Sequence, residues 1–246
     1  AAARVDTLSP GAGAGYGGIG GDSDNAVGAQ GQPYGSITNP INLGSGGAGG
    51  DAAGGAGGGA VYLKVIDTFN LTGQILADGI PGLPIAGVDC SGSGSGGSIL
   101  INATTLKGAG SINAIGGATA SCTTTDESGS GAGGRIAVYY SANSLTGDIS
   151  AAGGLGSGTV ETSGAGTIYL KKDEDALGSL IINNSDRNGK DTIIEPSFID
   201  VKLNNINVSG YGRLSINKTK LNATSIFVKS NGILTHVAHT SSHFTS

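Results

Sequence analysis

Few side chains in this sequence are equipped for chemistry, and most of them stand apart. Three histidines, His236, His239 and His243, fall in one stretch near the C-terminus. On a helix that spacing would suit zinc. The surrounding Ser/Thr-rich tail has no helical pattern, so a linker or an intersubunit contact is expected instead. Acidic runs occur at Asp126-Glu127 and Asp173-Glu174-Asp175. General acid–base work on a polysaccharide needs carboxylates paired a few ångströms apart on rigid elements. These runs lie in turn-like sequence, where adjacent like charges mark solvated loops. Asp22, Asp24 and Asp51 stand in Gly-rich stretches, as in calcium-binding repeats, but without the nonapeptide period of such repeats. With every histidine in the tail, a Ser-His-Asp or Cys-His centre is disfavoured. No catalytic residue, metal ligand or cofactor is assigned.

What remains is covalent modification and aromatic contact. Asn-x-Ser/Thr sequons begin at Asn70, Asn102, Asn183, Asn207, Asn217 and Asn222, about twice the number that chance would give. The chain has two cysteines, Cys90 and Cys122, so one internal pairing is open to it. Together these features point to a secreted protein carrying N-linked glycans. Tyr139, Tyr140 and Tyr169 come near strand ends, and alternation points Tyr139 and Tyr169 outward, towards sugars or a neighbouring subunit.

The scaffold that must hold these residues is unusual. Of 246 residues 48 are Gly, 13% are charged, 4% are aromatic, and Trp and Met are absent. Gly clusters irregularly beside only six Pro, which excludes collagen. A helical bundle is disfavoured because each interior Gly costs about 1 kcal/mol relative to Ala. Hydrophobic residues make up 37% and recur in β-branched runs, which argues against disorder. The net charge of −5 disfavours nucleic acid as a partner, and no stretch has the length of a membrane-spanning helix.

An internal repeat organises the chain. Gly59-Ala60-Val61-Tyr62-Leu63-Lys64 aligns with Gly97-Ser98-Ile99-Leu100-Ile101-Asn102, Gly134-Arg135-Ile136-Ala137-Val138-Tyr139 and Gly166-Thr167-Ile168-Tyr169-Leu170-Lys171. A second phrase follows each, at Leu71–Ala77, Gly110–Ala114, Leu145–Ala151 and Leu177–Ile182. From the first apolar residue to the Gly of the second phrase the interval is 12, 11, 11 and 10 residues. Two strands joined by a turn cannot bury their apolar face alone, so the copies are expected to stack.

The expected fold is therefore all-β: a Gly-rich parallel β-solenoid, a right-handed β-helix with long Gly-rich loops. Val61, Ile99, Ile136 and Ile168 should form one interior ladder, and Ile75, Ile112, Ile149 and Leu180 another. The turns carrying Cys90 and Cys122 would then be neighbours, and a disulfide between successive coils is expected. Residues 1–174 form the repeats with long loops, and 175–246 a tighter continuation of one domain, with turns at Gly210-Tyr211-Gly212 and Asn231-Gly232. The Gly-rich stretches are either flexible loops or close-packed extended segments of polyproline II type. Both ends read as cut in mid-pattern, as in a segment of a longer array.

The phrases Ser130–Ser141, Gly147–Gly154, Gly164–Lys171 and Tyr34–Pro40, with Leu234-Thr235-His236 near the end, resemble the Gly-rich β-helix repeats of very large secreted or surface proteins. That group includes bacterial giant adhesins and protist surface or flagellar-hair (mastigoneme-type) proteins. The resemblance implies an extracellular, non-enzymatic, structural protein: a glycosylated building block of a filament, appendage or long fibrous surface protein, partnered by its own kind. The alternatives are an adhesin recognising carbohydrate or a surface, and a polysaccharide-active enzyme.

Overall fold

The computed structural model describes residues 10–23, 30–49, 52–84, 90–120, 127–157, 162–195, 202–217 and 220–237. They form thirteen strands and no helix. Three long strands, β1 (Ala60–Asn70), β3 (Ser98–Gly108) and β5 (Arg135–Leu145), arise from the first phrase of the repeat, as does the shorter β7 (Thr167–Lys172). The second phrase forms β2 (Gln74–Leu76), β4 (Ser111–Asn113) and β6 (Ile149–Ser150). The C-terminal strands are β8 (Ser179–Asn183), β9 (Thr192–Ile194), β10 (Leu203–Ser209), β11 (Arg213–Ile216), β12 (Ala223–Val228) and β13 (Ile233–His236).

A seven-stranded sheet runs in the order β1-β3-β5-β7-β8-β10-β12, flanked by the three-stranded sheets β2-β4-β6 and β9-β11-β13. Every pairing is parallel except β7 with β8. The first expected ladder is in register: Val61 pairs with Ile99, Ile99 with Ile136, and Ile136 with Ile168. The second holds for Ile75, Ile112 and Ile149 but not for Leu180, which pairs with Tyr169 and Ile206 in the large sheet. The extra residue in the first repeat interval is a β-bulge, for three steps from Val65 to Thr68 match two from Ala103 to Thr105.

The antiparallel β7/β8 step reverses the strands and changes the face on which the core lies. Ile99, Ile101, Ile136, Val138 and Ile168 pack with Ile112 of the β2-β4-β6 sheet. Leu100, Ala137 and Tyr169, on the other face, pack with Ile37, Leu180 and Ile206, and with Ile194 and Leu214 of the β9-β11-β13 sheet. The expected single right-handed parallel β-solenoid is thereby overturned: the main sheet is mixed, it carries a core on each face, and the described residues do not close into one solenoid. For the same reason Tyr169 is not an outward platform but is 3% exposed, within a second core.

Where they are described, the Gly-rich stretches are not loops but a hydrogen-bonded bundle. Along residues 91–97, the amides of Ser91, Gly94 and Gly97 donate to the carbonyls of Leu83, Ile80 and Ala77. Those of Gly92 and Ser95 donate to Ala48 and Ser45, and those of Ser93 and Gly96 to Gly129 and Ala132. The partner thus changes with a period of three, as in a polyproline II-type helix with three residues per turn. Carbonyls of the same stretch accept from Gly55 and Gly58, from Ala14 and from Gly117, so six segments surround it. Such spacing leaves no room for side chains: a Cβ on Gly94 would overlap the Ala56 carbonyl, and one on Gly131 the Gly94 carbonyl. Buried serines fit because their hydroxyls join the network; Ser93 Oγ donates to the Ala118 carbonyl at 2.6 Å and accepts from the Gly82 amide at 3.0 Å.

Candidate functional site

Arg135 ties this bundle to the sheet. It is fully buried, with Nε donating to the Tyr34 carbonyl (2.8 Å), one terminal nitrogen to Thr167 Oγ1 (3.1 Å) and the other to the Tyr16 carbonyl (3.4 Å). Its guanidinium carbon stands 5.6 Å from the centre of the Tyr16 ring, whose hydroxyl is hydrogen-bonded to Ser98 Oγ at 2.5 Å. Burial lowers the guanidinium to about 10, still charged at neutral pH. These are positioning contacts, which hold the first Gly-rich segment against β3, β5 and β7.

The sequon asparagines lie mostly at the surface. Asn70, Asn102, Asn183 and Asn222 are exposed, and Asn207 and Asn217 are half-buried. Asn217 Nδ2 donates to Glu195 Oε1 at 2.6 Å, and Asn183 Oδ1 accepts from the Ser185 amide at 2.8 Å. Asn70 and Asn102 project from the face opposite the Ile99–Ile136 core, while Asn183 and Asn207, paired with Ser209 and Ile181, occupy the opposite face beyond the β7/β8 reversal. These four take the face that the three-stranded sheet of their own half leaves uncovered, whereas Asn217 follows β11 and Asn222 precedes β12. Cys90 is buried and disulfide-bonded; its expected partner, Cys122, lies outside the described residues.

Beside Asn102 is a shallow slot of about 210 Å³, lined by Thr38, Asn39, Tyr62, Leu100, Asn102 and Tyr139. Asn102 and Tyr139 are cross-strand neighbours, and Tyr139 Oη donates to the Thr38 carbonyl at 2.7 Å. Tyr139 packs on Tyr169 with ring centres 5.8 Å apart, and burial pushes its phenol up to about 12. Aromatic surface beside free amides suits a small, partly polar ligand such as a sugar ring.

The candidate catalytic and metal groups are dispersed. Asp173 Oδ2 accepts from Ser141 Oγ at 2.6 Å, and Glu174 pairs with Lys172, in an exposed turn after β7. Asp22 pairs with Lys190 at 2.6 Å, and Glu127 accepts from Ser157 at 2.8 Å. Among the described residues no cluster of His, Cys, Asp and Glu is arranged to hold a metal ion. Asp24, Asp51, Asp126, His239 and His243 lie outside the described residues, and His236 is exposed on β13.

The sequence reads as open at both ends, but it does not say which strands stand there. Among the described residues β1 and β12 pair on one side only. On β1, β2 and the Gly-rich segment after β2, Tyr62, Ile66, Leu76, Ile80 and Leu83 are exposed, Ile66 at 88%. On β12 and β13, Ile226, Phe227, Val228 and Leu234 are exposed. Their alternation matches that of interior strands, so nothing in the sequence distinguishes them. Comparison of this chain with family models, with curated proteins and with solved structures gives no match.

Proposed function

We propose that this chain is a structural, extracellular, glycosylated building block that self-associates into a filament, surface appendage or long fibrous assembly. The observation that carries this reading is the concentration of exposed apolar side chains on the strands at the two ends of the sheet. Terminal strands offer main-chain donors and acceptors for strand addition, and apolar residues there make burial against another strand favourable, at about 25 cal/mol per Å². Natural sheets usually blunt such edges unless they are used. The disulfide at Cys90 and four exposed sequons support a secreted setting. The likeness of the Gly-rich phrases to those of very large surface proteins agrees with it.

Negative-stain microscopy and light scattering of protein from a secretory host test the reading. Concentration-dependent, elongated particles are expected, together with a mass loss on N-glycosidase treatment. A strictly monomeric, sugar-free product overturns it. A second reading, an adhesin, is favoured by one feature, the slot between Tyr62, Asn102 and Tyr139. Binding of the monomer to a glycan array, lost in Tyr62→Ala, would support that reading instead.

A further inference from the structure

We infer that copies of this chain join head to tail, the β12/β13 end of one seated on the β1/β2 end of the next, with charge setting the polarity. The inference rests on the building-block reading above and adds to it the partner surface and its direction. Residues 1–200 hold all 18 Asp and Glu but only 8 of the 13 Lys and Arg, a net of −10. Residues 201–246 hold the other 5 and no acid, a net of +5. Three of these, Lys202, Lys220 and Lys229, are exposed around β10, β12 and β13 at one end, while Arg213 pairs with Asp191 and Lys218 lies outside the described residues. At the other end the exposed Asp67 adjoins Ile66, and the half-buried Asp78, whose Oδ1 accepts from the Ile115 amide at 2.7 Å, lies between Leu76 and Ile80, with Lys64 as the opposing charge. Joining two β12 ends would press one basic block against another. Joining unlike ends removes that repulsion and buries both apolar sets.

The internal geometry shows how such a joint fits. At β7/β8 the strands reverse and the flanking sheet changes face, which is a half-turn of the pattern about the stacking direction. A second copy placed with one further half-turn runs its β1 parallel to β12 and brings its β2 to the side occupied by β13. Both sheets then continue across the joint. Because the two surfaces differ, the contact is heterologous and leaves an open end at each addition, which yields a filament rather than a closed dimer.

The test uses the full chain with Ile66→Cys or Ile226→Cys, both exposed positions, and a short bis-maleimide. Cross-linked dimers are expected in the mixture of the two variants and only at background in either alone. Homodimers of either variant overturn the polarity while leaving the building-block reading standing. If the unmodified chain stays monomeric by light scattering and no cross-link forms, both fall. In the unmodified background, Lys220→Glu with Lys229→Glu is expected to weaken association at least tenfold at low salt, and raising the salt should narrow that difference. An unchanged affinity at low salt removes charge from the account.

Discussion

Arg135 shows how one side chain can decide whether a side-chain-poor segment is held. The Tyr34 carbonyl and the Thr167 hydroxyl accept from it, and the Tyr16 carbonyl accepts from it as well as from the Tyr34 amide. Arg135→Ala takes the donor from the first two, and urea denaturation should show a loss of about 3 kcal/mol. Its folded value, about 10, lies below the ordinary guanidinium range, so burial of the charge opposes folding at neutral pH, and that cost fades as pH rises above about 10. Tyr139 acts in the other direction. With its phenol raised from 10.0 to about 12, the stability it contributes is intact below pH 10 and is lost as pH climbs through 12. Burial also raises Tyr16 and Tyr169, so phenolate absorbance should show several tyrosines that ionise late, and Tyr139→Phe should reduce the amplitude near pH 12 by one phenol. A spectrum unchanged by the substitution would mean that Tyr139 is solvated.

At the scale of elements, two kinds of cohesion meet in one molecule. The strands are held by aliphatic ladders, while the Gly-rich segments are held by main-chain hydrogen bonds in several directions, each contributing about 1 kcal/mol net. Close approach of backbones makes glycine obligatory at some positions and dispensable at others. Gly94→Ala or Gly131→Ala forces a methyl into a neighbouring carbonyl and should cost more than 2 kcal/mol by thermal or urea unfolding. Gly59 and Gly73 have nothing within 4 Å of an added Cβ and no left-handed backbone. Alanine there should be neutral or stabilising, by up to about 1 kcal/mol, through the unfolded chain. Equal losses at all four positions would contradict the packed bundle. Reduction of the Cys90 disulfide should lower stability by about 3 kcal/mol, measured with and without reductant.

For the whole molecule, the half-turn at β7/β8 gives each half its own core face and its own sequon-bearing face. Sugars on Asn70 and Asn102 would then shield one face near β1, and sugars on Asn183 and Asn207 the other face near β8 and β10. Asn70 and Asn222 stand at the end strands themselves, whereas Asn102, Asn183 and Asn207 stand clear of them, so replacing these three by Gln should increase side-by-side clumping in light scattering while leaving end-to-end growth intact. If removing the sugars instead stops elongation, the glycans belong to the joint and not to the flanks.

The repeat made much of this legible in the sequence. Residues 61, 99, 136 and 168 fall on one ladder because alternation and spacing are local, and the residue of difference between intervals of 12 and 11 is the bulge before Thr68. The turns also followed from sequence: Gly210, Tyr211, Ser230 and Asn231 take left-handed backbone between short strands. Leu180 was misplaced because its phrase matches the others, and a phrase carries no record of strand direction. Only the chain reversal between Lys172 and Ser179 decides which face it meets. The Gly-rich stretches were ambiguous for a similar reason. Glycine permits both a mobile loop and a packed threefold array, and the choice belongs to six neighbouring backbones drawn from distant parts of the chain. Composition and period determined the strands and their ladders; pairing direction, the second core and the exposed ends depend on contacts that exist only once the chain is folded.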